Sequence, residues 1–209
     1  MSAITLVVGS KRFSSWSLRA WLFLKHHGVP FREVLVPLDA ADTRERVLEH
    51  SPSGKVPVLK LDGYRVWESL AICEYAAERL RLPLAWPDEL QARAFARSIA
   101  TEMHAGFAEL RKTLPFDAQR KPATIDLSDE AAADIRRICA IWREARQLFG
   151  AAGPWLFGEF GIADAMFAPV ALRFHFYGVA LDPVCEAYMH QVLTDGAVQE
   201  WLQAGRAES

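Results

Sequence analysis

Val58-Leu59-Lys60-Leu61-Asp62-Gly63-Tyr64-Arg65-Val66-Trp67 is the stretch that decides the fold. Two four-residue runs of strand-forming residues flank Asp62-Gly63, a dipeptide that accepts the positive backbone angles of a tight hairpin turn. Working towards the N-terminus, Ile4-Thr5-Leu6-Val7-Val8 is a short β-branched run closed by Gly9-Ser10 and reads as a buried strand. Ser14 to His27 reads as a helix, apolar nearly all round at Trp21-Leu22-Phe23-Leu24 and stopped by Gly28 and Pro30. Phe31 to Val36 reads as a second strand, and Thr43 to His50 as a short polar helix. A strand, helix, strand order implies a parallel pair joined by a right-handed crossover. Beyond the hairpin, Glu68 to Leu80 reads as a helix buried through Leu70, Ile72, Cys73, Ala76, Ala77 and Leu80. The first eighty residues thus spell βαβαββα, an α/β thioredoxin-like layout.

Pro83 and Pro87 then interrupt the chain, so residues 81–88 read as a linker between a domain at 1–80 and a second at 89–209. Every clear signal after the linker is helical, which makes the second domain all-α. Leu90, Ala94, Phe95, Ile99, Met103, Phe107 and Leu110 form one stripe at helical spacing, read as a single long helix. Ser128 followed by Asp129-Glu130 marks the cap and acidic first turn of a helix running to Gly150. Further helices are expected from Ile162 to about His175, Pro183 to about Thr194 and Val198 to Leu202.

Composition narrows the function. The 209 residues are 51% hydrophobic and 24% charged with a net charge of -2, which suits a packed globular protein and lacks the basic footprint of a nucleic-acid binder. No run approaches the roughly 20 apolar residues of a membrane helix, and Met1 to Val8 lacks the pattern of a secretory signal. Cys73, Cys139 and Cys185 show no CxxC spacing, and His104, His175 and His190 no HExxH spacing. The sequence therefore predicts no metal site and a reducing, cytoplasmic location. Arg136, Arg137, Arg143 and Arg146, interleaved with Asp134 and Glu144, read as a solvated helix face.

Four segments, in order, carry a resemblance to a known family. They are Phe13-Ser14-Ser15-Trp16-Ser17-Leu18-Arg19, Ser53-Gly54-Lys55-Val56-Pro57-Val58-Leu59, Glu68-Ser69-Leu70-Ala71-Ile72 and Phe160-Gly161-Ile162-Ala163-Asp164. Together they resemble the glutathione S-transferases, and the first resembles the serine-type branch that includes the zeta, maleylacetoacetate isomerase-like class, with Trp16 where that class has cysteine. The resemblance implies a cytoplasmic, homodimeric transferase that uses glutathione as co-substrate in the detoxification of small electrophiles, with no metal, membrane or nucleic-acid partner. It implies Ser14, or else Ser15, as the catalytic hydroxyl that donates a hydrogen bond to the glutathione sulfur. It implies glutathione contacts from Lys55, from the backbone of Val56 ahead of a cis Pro57, and from Glu68 and Ser69. It places Met103, His104 and Phe107 on the wall of the electrophile pocket, and Arg12, Arg19 and Arg173 as the cations a diacid substrate would need.

The residue types suit those tasks. A free thiol ionises near pH 8.5, and a helix N-terminus or a hydrogen-bond donor lowers that value. Ser14 and Ser69 each open a helix, so each serves equally as a cap, and Lys55 equally as a solvated lysine. Asp164 reads as a structural cap, with Gly161 at the position where the family carries Ser or Thr. Two other functions fit the same residues: a glutathione-dependent cis-trans isomerase of a maleylacetoacetate-like diacid, and a non-catalytic interaction protein that kept the fold.

Overall fold

The computed structural model describes residues 4–208. Met1 to Ala3 and Ser209, which fall within the expected spans 1–80 and 89–209 and, at the N-terminus, within the stretch read for a secretory signal, lie outside the described residues. The chain runs β1 (Thr5–Gly9), α1 (Ser15–His26), β2 (Arg32–Val36), α2 (Thr43–Leu48), β3 (Val58–Leu61), β4 (Tyr64–Trp67), α3 (Ser69–Leu80), α4 (Leu90–Ala105), α5 (Ala108–Thr113), α6 (Asp129–Phe149), α7 (Ile162–Phe176), α8 (Pro183–Thr194) and α9 (Gly196–Ala207).

The sheet has the order β2-β1-β3-β4. β1 and β2 are parallel with Val7 beside Val34, while β3 runs antiparallel to β1 with Leu6 beside Leu59. The Asp62-Gly63 turn carries positive φ at both residues, 52° and 80°, and sets Leu61 opposite Tyr64. This is the thioredoxin-like half, followed by a helical half, as the sequence implied.

The halves meet along α7. Every residue of α7 except His175 is buried, because the helix packs on α1, α3, α4 and α8 at once. That packing leaves Asp164 and Arg173 as charged groups in the interior. At the far edge, α9 clamps the loop ahead of α1. Trp201 lies edge-on to Trp21 at 5.3 Å and donates its Nε1–H to the Lys11 carbonyl, and Glu208 accepts from the Lys11 and Arg12 amides. The structure gives α9 more length than the expected Val198–Leu202, with Asp195 capping its first turn through the Val198 amide.

One expected helix is two. The stripe from Leu90 to Leu110 breaks after Ala105, where Gly106 is extended and Phe107 turns left-handed at φ 60°. Met103 and Phe107 still bury themselves on either side of the break, so the apolar spacing survives although the helix does not. Periodicity reads burial, and burial continues through a kink.

Candidate active site

A cleft of about 890 Å³ opens between the two halves. Its floor is the start of α1, one side is the segment leading into β3, another the start of α3, and the helical half contributes the end of α4. Ser14, Lys55, Val56, Pro57, Glu68, Ser69 and His104 all line it. Seven residues singled out in sequence, drawn from four separate segments, therefore converge.

Ser14 is the cap of α1. Its Oγ accepts from the Ser17 amide at 3.2 Å and donates to Ser17 Oγ at 2.7 Å, while Ser17 Oγ also accepts from the Gly9 amide at 3.0 Å. The cap and the cleft-facing hydroxyl are thus one group. Ser15 lies behind it, outside the cleft lining and 5% exposed, where its Oγ accepts from Arg173 Nη2 at 3.0 Å.

The Val56–Pro57 peptide is cis. Neither the amide nor the carbonyl of Val56 enters a hydrogen bond among the described residues, which leaves both available to a peptide-like ligand along the cleft. At the start of α3, Glu68 occupies the cap position with φ 69° and its side chain caps nothing. The first-turn amides of that twelve-residue helix are therefore unclaimed by a side chain, the arrangement that receives an anionic oxygen. The Ser69 hydroxyl rests 4.0 Å from Met166 Sδ, so the helix end, more than the hydroxyl, faces the cleft.

Glu68 and His104 bridge the two halves, with Oε2 and Nε2 3.4 Å apart. Burial pulls the His104 pKa below its usual value, Glu68 opposes that pull, and Arg19 and Arg111 add to it. Of the three residues expected on the electrophile wall, only His104 reaches the cleft. Met103 is fully buried and Phe107 is 8% exposed, and neither lines it. Met103 is on the face of α4 turned to the core and 104 is rotated about 100° from it, while Phe107 is buried beyond the break.

Among the arginines, Arg12 is committed elsewhere, forked onto Asp117 at 3.0 and 3.1 Å. Arg19 and Arg173 are buried behind the cleft floor, and the half-buried Arg111, which the sequence reading did not single out, lies near them. Burial first, then the mutual repulsion of these guanidiniums, pushes Arg19 down to about 9 and Arg173 to about 10. No pattern in sequence marks Arg111, since it sits on the short helix after the unforeseen kink. Leu38, Thr43 and Arg44 also line the cleft and carried no motif signal.

Two features lie apart from the cleft. Asp164 stands at the third position of α7, with Oδ1 accepting from the Leu156 amide and Tyr188 hydroxyl and Oδ2 from the Gly161 amide. Gly161 returns no side-chain bond, so this cap is one-sided. Cys139, Asp182 and Cys185 bring two sulfurs and a carboxylate oxygen within 4.8 Å of one another, a juxtaposition of α6 and α8 that the sequence spacing did not announce. Cys73 is a buried free thiol in α3, raised by burial.

The sheet order, the helical half behind it and a cleft carrying a serine at one helix start and open amides at another define a two-part, thioredoxin-like protein with a cleft between its halves. Residues 13–79 match the family described as glutathione S-transferase, N-terminal domain. Residues 13–79 thus carry a glutathione S-transferase N-terminal domain. It is 28% identical over 169 residues to Protein IN2-1 homolog A of Oryza sativa subsp. japonica, covering 79% of this chain and 63% of that protein. It is 38% identical over 98 residues to maleylacetoacetate isomerase of Rhizobium meliloti (strain 1021), covering 44% and 45%. The matched regions thus span less than two thirds of these relatives. Among solved structures, a glutathione transferase homolog from Burkholderia gl BGR1 with bound glutathione superposes with a TM-score of 0.74 at 25% identity over 99% of this chain and 100% of that one. Among the described residues, no helix is long and apolar enough to cross a membrane.

Proposed function

We propose that this chain is a glutathione transferase in which the Ser14 hydroxyl, at the start of α1, stabilises the glutathione thiolate for attack on a small electrophile. The observation that carries the reading is convergence in one cleft: Ser14 at a helix N-terminus, the unpaired backbone of Val56, and the uncapped first turn of α3 beside Glu68. Two of these suit the cysteinyl residue of the tripeptide and the third its γ-glutamyl end. The sulfur meets Ser14, the cysteinyl amide pairs with Val56, and the γ-glutamyl carboxylate sits on the α3 amides with its amine towards Glu68. Lys55, and with it Arg44, face the glycyl carboxylate.

Chemically the serine donates and does not abstract. Its own proton is far too weakly acidic for the serine to act as the base, so the thiol proton leaves to solvent, and the hydroxyl donates to the sulfur anion that remains. The partial positive charge at the α1 N-terminus acts in the same direction. Arg173 holds the Ser15 oxygen by donating to it, and Ser15 is the alternative donor to the sulfur.

In this reading residues 1–80 bind glutathione, 81–88 link, and 89–209 supply the electrophile wall through His104. The protein is a cytoplasmic homodimer. A second reading, glutathione-dependent isomerisation of a maleyl diacid, is supported by the printed name of the Rhizobium relative. Calorimetric titration with glutathione tests the shared basis. Binding that Glu68→Ala weakens at least tenfold is expected, whereas no heat of binding by the unaltered chain removes both enzyme readings and leaves an interaction protein. Consumption of glutathione with a chloronitrobenzene, against turnover of a maleyl substrate with glutathione unconsumed, separates the two enzymes.

A further inference from the structure

The most concentrated positive charge near the cleft does not face it. Arg19, Arg111 and Arg173 form no ion pair among the described residues, and none of the three lines the cleft. Two of them are otherwise satisfied: Arg173 donates to the Leu114 carbonyl and to Ser15 Oγ, and Arg111 to the Gly106 carbonyl. Arg19 is not. It is 2% exposed, and its Nε and Nη1 have no hydrogen-bond partner. A buried guanidinium with empty donors is rare, because the water it gave up is normally replaced by acceptors.

What Arg19 has instead is an aromatic face. Its guanidinium carbon lies 4.1 Å from the Trp16 ring centroid, and that of Arg111 lies 5.4 Å from the same ring. The His104 ring meets the indole edge-on at 5.4 Å. Trp16, unlike the arginines, does line the cleft. The indole therefore stands between the cleft and two cations, held by the electrostatic attraction of a π face for a desolvated positive charge. A carboxylate resting on the cleft side of the ring would be on the order of 7 Å from the Arg19 guanidinium, one stacking distance added to the observed one, which is beyond hydrogen-bond reach.

We infer that Trp16 is the specificity-determining residue at the electrophile end of the cleft: its indole masks Arg19 and Arg111, so the cleft takes neutral, flat electrophiles, and replacing the indole with a small side chain makes the same cleft select carboxylates. The inference rests on the electrophile site proposed above and adds which chemistry that site admits and which residue sets it. The masked charge is real at neutral pH, since Arg19 is lowered only to about 9.

Equilibrium binding of 4-nitrobenzoate and of its neutral counterpart 4-nitrobenzamide, measured by calorimetry, tests this without requiring turnover. The unaltered chain should prefer the benzamide or bind both alike. Trp16→Ala should improve benzoate binding relative to benzamide by at least tenfold, and Trp16→Ala combined with Arg19→Met should lose that gain. Trp16→Cys, which keeps a soft apolar group against Arg19, carries the same expectation if the alanine variant does not fold. A benzoate-to-benzamide ratio equal in the unaltered chain and the Trp16 variants, or a gain that survives Arg19→Met, overturns the inference. A parallel glutathione titration separates the two levels: absent glutathione binding strikes the transferase reading, while the paired nitrobenzoate comparison still decides the role of Trp16.

Discussion

Replacing Asp164 with alanine should destabilise the protein more in acid than at neutral pH, the reverse of the usual behaviour of a paired carboxylate. Asp164 is fully buried, and burial raises its pKa to about 6 against the opposing hydrogen bonds from Leu156, Gly161 and Tyr188. An unfolded aspartate ionises near pH 3.9. Between about pH 4 and pH 6 the folded chain therefore keeps a proton that the unfolded chain has released, and stability falls as pH rises through that window. Alanine removes this slope and leaves three donors without their acceptor, a loss of about 1–2 kcal/mol each. The relief of a buried charge offsets part of that loss once Asp164 ionises, by about 2 kcal/mol between pH 4.5 and neutrality. The net deficit should be about 3 kcal/mol at pH 4.5 and about 1 kcal/mol at pH 7.5. With a denaturant slope of about 3 kcal/mol/M, urea midpoints should fall by about 1 M and about 0.3 M respectively. Equal deficits at the two pH values, or a larger one at neutral pH, would refute the reasoning.

Two further outcomes follow from single contacts. Glu68→Gln removes the group that opposes burial at His104, so the His104 pKa, followed by NMR of the ring protons, should drop below its value in the unaltered chain; an unchanged titration would mean that the two do not communicate across the cleft. Gly205→Ala places a methyl 3.0 Å from the Arg12 amide nitrogen and 2.9 Å from the Ala118 methyl. Because the near atoms include backbone, α9 must lift from the loop ahead of Ser14, at about 1–3 kcal/mol and a fall in melting temperature of roughly 3–10 °C.

The N-terminal half was legible because its signals are local. The Asp62-Gly63 turn, the β-branched runs and the Ser14 and Ser128 caps each follow from a few adjacent residues, and the sheet order follows from a parallel crossover and a hairpin. The cleft was legible where motifs sit on helix starts and strand entries, as Ser14, Val56 and Glu68 do. It was illegible where side-chain direction decides. Met103 and His104 are neighbours in sequence, yet one is core and the other cleft, and the choice depends on a rotation that the stripe does not fix. The break at Gly106 and Phe107 was invisible because a buried apolar residue in left-handed conformation looks, in sequence, like any other member of the stripe. Arg111 and the masking of Arg19 by Trp16 depend on that break and on tertiary packing, which no spacing encodes.

The central claim is that Ser14 lowers the pKa of the bound glutathione thiol. Thiolate ultraviolet absorbance of the glutathione complex, titrated against pH, measures this directly in the unaltered chain and in Ser14→Ala. A hydrogen bond to a charged acceptor contributes about 1.5–3 kcal/mol, so the bound thiol should ionise well below the free value of about 8.5 and should rise by about 1–2 pH units in the variant. Titration curves that coincide in the two proteins, or that move only with Ser15→Ala, would contradict the account.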